Sequence, residues 1–169
     1  MKNNESKTTR RIVLALFILY VLAILFLLVI PNNYRGHNVL IGGLTWDRWM
    51  AYVGGGFNLV PFRGIAEQIG SIIVGEDVAR NLIYLAGNLA GFAPLGFFLP
   101  AMFARQRKFR TFLITVLLAI AGLELVQLMT MRGSCDIDDI ILNAAGACLG
   151  FWIMHKSVRH ITGSKQEAD

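Results

Sequence analysis

The sequence predicts an all-α integral membrane protein: a bundle of four transmembrane helices, with short interfacial or re-entrant helices in the external segment 31–81. Three observations predict it. The chain of 169 residues is 55% hydrophobic and only 16% charged, with mean hydropathy +0.55, whereas soluble domains run at about 45–50% and about 25%. The stretch Ile12 to Ile30 holds no charge and no strong polar group, and it meets the roughly 20 residues that a bilayer span needs. The basic residues form clusters that four spans would put on one side of a membrane. At this length there is room for one bundle and no second folded domain. Residues 1–169 therefore read as a single membrane domain with its core over 12–154 and disordered tails at 1–10 and 163–169.

The first segment, Ile12 to Ile30, follows Lys2, Lys7, Arg10 and Arg11. That polarity also suits a secretory signal, but the run is long for one and no small-x-small cleavage site follows. An uncleaved first transmembrane helix is expected. Within 31–81 lie two glycine clusters, Gly42-Gly43 and Gly54-Gly55-Gly56. Between them Trp46, Trp49 and Tyr52 are spaced for a helix at the membrane interface, the depth that aromatic rings prefer. Asn58 to Phe62 (NLVPF) and an amphipathic stretch from Arg63 to Val74 complete this segment. Non-helical backbone at membrane depth is tolerated only under cover of protein or water.

The second apolar segment runs from about Leu82 to Ala104 and contains Asn88, Pro94 and Pro100. Its prolines remove backbone donors, and Gly91 and Gly96 permit close helix approach. The third runs from about Thr111 to Met131 with Glu124 and Gln127 inside it; the fourth, from about Ile137 to Met154, carries the small-residue run NAAGACLG from Asn143 to Gly150. Eleven basic residues precede the first span, separate the second from the third or follow the fourth, against five (Arg35, Arg48, Arg63, Arg80 and Arg132) on the opposite side. The positive-inside bias then places both termini in the cytoplasm and the Asp136–Asp139 turn outside.

The stretch Glu124 to Asn143 (ELVQLMTMRGSCDIDDIILN) is the chemically informative one. Carboxyl groups this close to a span are costly unless paired, solvated in a cavity or bound to a cation. Glu124 and Gln127 share a helix face, as a site or as an interhelical clamp. Asp136, Asp139 and Asn143 continue one face of the next helix, and Asp138 points elsewhere. Aspartates there also serve as N-terminal caps, which accounts for one or two acids but not for Asn143 deeper in the helix. Carboxyls with an amide oxygen suit Mg²⁺ or Ca²⁺, although the pattern matches no recognised metal motif, and the cofactor is left open. Arg132 is a candidate partner for one of these acids or for an anionic ligand; Arg63 and Arg80 are weaker candidates. If the stretch between Cys135 and Cys148 is helical they lie about 20 Å apart, beyond disulfide reach. His37, His155 and His160 are remote from the acids, so nucleophilic triads are unsupported.

At these residues the chain resembles the VanZ family of small bacterial membrane proteins. The motifs that carry the resemblance are Asn58, Pro61 and Phe62; Asn81, Asn88, Pro94, Gly96 and Pro100; Glu124 and Gln127; and Arg132, Asp136, Asp138, Asp139, Asn143, Gly146 and Gly150. They cover about two thirds of the chain, from Asn58 to Phe151, and the last block is the most specific. One departure is Cys135, where the family more often has a bulkier apolar residue. The resemblance implies lowered susceptibility to teicoplanin-type glycopeptide antibiotics, which bind lipid-linked cell-wall precursors outside the cell.

The expectation is therefore a multi-pass protein of the bacterial cell membrane. A polar pocket near its outer face is lined by Glu124, Gln127, Asp136, Asp138, Asp139, Asn143 and Arg132 and closed by Asn58 and Asn88. Its expected partners are membrane lipids, lipid-linked precursors or the glycopeptide, and no nucleic acid. Two further functions stay open: an enzyme acting on a lipid-linked envelope substrate with Glu124 or Asp139 as general base, and a lipid or small-molecule transporter whose buried acids carry protons.

Overall fold

The computed structural model describes residues 2–29, 45–131 and 133–166, excepting the side chains of 2–7, 9, 27–29 and 158–166. It is almost wholly helical: α1 (Lys2–Val29), α2 (Trp46–Gly55), α3 (Arg63–Ile73), α4 (Val78–Met102), a 3₁₀ turn (Ala104–Arg107), α5 (Phe109–Met129) and α6 (Ile137–Gln166). Two two-residue strands, β1 (Phe57–Asn58) and β2 (Cys135–Asp136), pair in parallel. That short pairing laces the ends of two loops together by backbone within the helical chain. Helix α1 begins at Lys2 and α6 continues to Gln166. The first glycine cluster, Gly42-Gly43, lies outside the described residues.

Local sequence accounts for the short helices' ends. Thr45 caps α2, its side chain accepting from Arg48 N, with Asp47 in the positively polarised first turn. Gly56 closes α2 by returning its N–H to Val53 O. Gly75, at φ 82, makes the left-handed turn between α3 and α4.

The long helices are joined by one core. On α5, every fourth residue from Phe112 is buried: Phe112, Val116, Ile120, Glu124 and Leu128. Four of the five are apolar, and Glu124 interrupts the stripe. Phe112, Val116 and Ile120 cluster with Ala147 and Phe151 of α6, and the Phe112 and Phe151 rings lie 4.5 Å apart. Between α4 and α6 the backbones themselves meet. A Cβ on Gly146 would stand 1.9 Å from Leu89 O, one on Gly150 1.9 Å from Ala93 O, and one on Gly96 1.8 Å from Ala147 O. Small residues permit such contact in membranes, where packing rather than hydrophobic exclusion drives association. The pairing makes α4 and α6 parallel, with α5 running the opposite way. α1 joins through the Tyr20 hydroxyl, which donates to Gly91 O at 2.8 Å, and through Phe17 against Phe98.

Among the described residues three helices are long and apolar enough to cross a membrane: Val78–Met102, Phe109–Met129 and Ile137–Ser157. Their outward faces carry large exposed apolar side chains such as Ile83, Leu118 and Ile153, as a lipid-facing surface requires.

Candidate functional site

The predicted polar residues collect where α4 and α6 begin and α5 ends. Asp136 stands just before α6, and its Oδ1 accepts from Asp138 N at 2.9 Å, capping its own helix. The same oxygen accepts from Asn58 Nδ2 at 3.1 Å. Strand register explains that meeting: Asn58 is the β1 partner of Asp136, and Cys135 N donates to Gly56 O at 2.7 Å. Glu124, 3% exposed, presents Oε2 to Asp136 N at 3.4 Å. The buried acid of α5 thus meets the start of α6.

Asp138 is fully buried and serves another helix. Phe62, preceding α3, sits in the left-handed region at φ 65 and brings no side-chain cap. Asp138 supplies one from the far end of the sequence: Oδ1 accepts from Phe62 N, and Oδ2 accepts from Gly64 N at 2.6 Å and Ile65 N at 3.2 Å. The first turn of a helix has free N–H groups and a positive potential, so a carboxyl is the fitting partner. Capping thus explains two acids: Asp136 caps α6, and Asp138 caps α3.

Asp139, 6% exposed, turns toward α4. Its Oδ1 accepts from the Tyr84 hydroxyl and from Asn88 Nδ2 at 2.8 Å. Tyr84 and Asn88 are four residues apart and so share one face of α4. One turn deeper along α6, Asn143 is 4% exposed, and its Oδ1 has no hydrogen-bond partner among the described residues. Gln127, half-buried, contributes its main-chain carbonyl, which accepts from Gly133 N at 3.2 Å and Thr130 Oγ1 at 3.3 Å. Arg132 lies outside the described residues. Arg63 and Arg80 are exposed and engaged locally, with Glu67 at 3.1 Å and Asp77 at 2.6 Å.

The sequence-predicted residues thus fall into three linked groups: Glu124, Asp136 and Asn58; Asp138 with the start of α3; and Asp139 with Asn88, followed by Asn143. Among the described residues no set of three or more His, Cys, Asp and Glu side chains is arranged to hold a metal ion. Asp136, Asp138 and Asp139 accept from N–H and O–H donors, so the arrangement positions these acids by hydrogen bonding. Cys135 sits beside them, and burial pushes its thiol pKa up, with the charges of Glu124 and Asp136 adding to the shift.

Sequence reasoning missed Tyr84, whose signal was its position one turn before Asn88. It also placed Trp49 and Tyr52 on a helix at the membrane interface, by their spacing and aromatic character, and named no partners for them. Both reach the bundle: Trp49 Nε1 donates to Met129 O at 3.0 Å, and the Tyr52 hydroxyl donates to Gly133 O at 3.0 Å. These bonds tie α2 to the turn after α5, so α2, β1 and α3 form a belt around the polar end.

A family model described as VanZ/LLP1 matches residues 17–159. No curated protein matches the chain, and no solved structure matches it.

Proposed function

The chain belongs to the VanZ/LLP1 family and is a VanZ-like membrane protein; from that premise we propose that it lowers susceptibility to teicoplanin-type glycopeptides by acting on or near lipid-linked cell-envelope precursors at the outer face of the bacterial membrane. One observation carries the reading. Glu124, Asp138, Asp139 and Asn143 are all buried at one end of a bundle whose main apolar cluster is Phe112, Val116, Ile120, Ala147 and Phe151. Polar groups at membrane depth are costly unless they serve a site or a clamp, and these are gathered at one end, where an envelope precursor is reached.

The topology proposed with it has four spans, with α1 as the first and both termini cytoplasmic. It is supported by Arg105, Arg107, Lys108 and Arg110, which lie in and just after the 3₁₀ turn at the opposite end of α4 and α5 from the acids, the distribution that the positive-inside bias expects.

A second reading is favoured by Asp139. Two side-chain donors from α4 converge on one of its oxygens and fix the carboxyl's orientation, and a general base must be positioned toward the proton it takes. In that reading the protein modifies a lipid-linked substrate, with Asp139 or Glu124 as the base.

One experiment tests both. The full chain is expressed in a susceptible bacterium, teicoplanin and vancomycin susceptibilities are measured, and envelope lipids are compared by mass spectrometry. Lowered teicoplanin susceptibility with an unchanged lipid pool supports protection without chemistry. A new precursor mass that disappears with Asp139→Asn supports the enzyme. Unchanged susceptibility to both drugs overturns the glycopeptide reading.

A further inference from the structure

The amphipathic helix α3 has no fully buried residue, yet its exposure divides into three arcs. At about 100° per residue, the half-buried Gly64, Ser71, Gln68, Ile72 and Ile65 span one arc of about 120°. The exposed Ile69, Ile73 and Ala66 fill the next arc, of about 60°, with Ile69 45% and Ile73 77% exposed. The exposed Gly70, Arg63 and Glu67 fill the remainder, with Arg63 and Glu67 paired at 3.1 Å. A helix lying wholly in water would have a protein face and a polar face. A third face that is apolar and uncovered needs an apolar medium.

We propose that α3 lies in the membrane–water boundary as a three-sided wedge: one side on the bundle, the Ile69–Ile73 side in the acyl region of the leaflet, and the Arg63–Glu67 side in water. The occupant of the apolar side is the lipid bilayer, and three features favour it over a protein. α3 packs against α4, a candidate span whose opening turns expose Val78, Leu82 and Ile83. The apolar band therefore continues from a membrane-crossing helix. The residues flanking α3 extend the same character, with Leu59, Val60, Phe62 and Val74 all more than half exposed. The charged pair sits on the adjacent side rather than among the apolar residues, as an interfacial helix requires. This assignment decides between the interfacial and re-entrant readings of the segment. It rests on membrane residence alone and not on the glycopeptide reading.

The test places a nitroxide at Glu67→Cys, Gln68→Cys, Ile69→Cys and Ile73→Cys in turn, in the full chain carrying Cys135→Ser and Cys148→Ala. The protein is reconstituted in phosphatidylethanolamine–phosphatidylglycerol vesicles. Collision with oxygen, which concentrates in acyl chains, is compared with collision with a water-soluble nickel chelate. The oxygen-to-nickel ratio should be several-fold higher at positions 69 and 73 than at 67, with position 68 shielded from both. Equal ratios at 67, 69 and 73 would overturn the wedge by putting all of α3 in water. Shielding of 69 and 73 from both reagents would overturn it in favour of a second copy or another protein. The unmodified chain supplies an independent reading: lipids with a photoactivatable acyl chain should label peptides containing Ile69 to Val74, and absence of label there would refute the proposal.

Discussion

Asp138 and Gly64 are 74 residues apart, and the Asp138 Oδ2 lies 2.6 Å from the Gly64 N–H. A Cβ on Gly64 would stand 3.1 Å from that same oxygen, so glycine spares a tight contact where the acid meets the helix end. Through this contact the first turn of α6 holds the otherwise uncapped start of α3. The positions of the wedge and of the polar end are thereby linked.

Removing the acid should loosen both. Asp138→Ala exposes three donors at the α3 terminus and should cost about 2–4 kcal/mol, between a lost cap and a lost set of charge-assisted bonds. Thermal unfolding in detergent measures the total, and hydrogen exchange of the Gly64 and Ile65 amides locates the loss. Gly64→Ala should cost about 1 kcal/mol in the native chain and distinctly less in the Asp138→Ala background, since neighbours sharing one contact are not additive. Equal costs in both backgrounds would mean the glycine has another purpose.

The close contact of α4 with α6 makes a sharper prediction. Gly146→Ala and Gly150→Ala each put a methyl 1.9 Å from a backbone carbonyl of α4, which a flexible side chain cannot relieve. Each should destabilise by at least about 2 kcal/mol. Gly122→Ala, on α5 where a Cβ meets nothing within 4 Å, should instead be neutral or stabilising by up to about 1 kcal/mol through helix propensity. Unfolding temperatures of the three variants in one detergent check the contrast.

The apolar runs were legible because hydropathy reports membrane helices directly: α5 departs from expectation by two residues at either end. α4 begins at Val78, four residues before the expected Leu82, because Arg80 and Asn81 disguise its first turn. Arg80 is solvent-exposed and paired with Asp77, and Asn81 is buried with its Nδ2 on Glu76 O. The acids were legible as a group because charge beside a span is costly. Their partners were not, since Asp138 bonds main-chain N–H groups from a segment far away in sequence, and only Gly64 leaves any trace of that. The pairing of Asn58 with Asp136 spans two residues per strand, too short for any periodic signal.

Cys135 reports on the electrostatics of the polar end. Burial, then Glu124 and Asp136, raise its thiol pKa, so the neutral thiol is favoured in the folded protein. The resulting stability is present below the unfolded thiol's pKa and is lost as pH rises through the higher folded value. Alkylation by iodoacetamide should therefore rise at a higher pH than in the unfolded chain, measured with Cys148→Ala to isolate one thiol. Glu124→Gln removes one of the raising charges and should move the folded profile toward lower pH. An unmoved profile would mean that Glu124 carries no charge felt at Cys135.

Asn143 and Asn81 form a matched pair. They are 4% and 3% exposed, but Asn81 Nδ2 donates to Glu76 O, whereas Asn143 Oδ1 has no partner among the described residues. Leucine has the same branching and the same number of side-chain heavy atoms as asparagine, so replacement changes polarity more than shape. Asn81→Leu should cost about 1–2 kcal/mol, by deleting a bond and stranding a carbonyl. Asn143→Leu should be neutral or stabilising by about 1 kcal/mol, because it removes a buried acceptor whose desolvation nothing offsets. If Asn143 belongs to the functional site, Asn143→Leu will also lose the teicoplanin effect while unfolding at the same temperature or higher. Loss of stability together with function would make it a bundle clamp, and retention of both would remove it from the site.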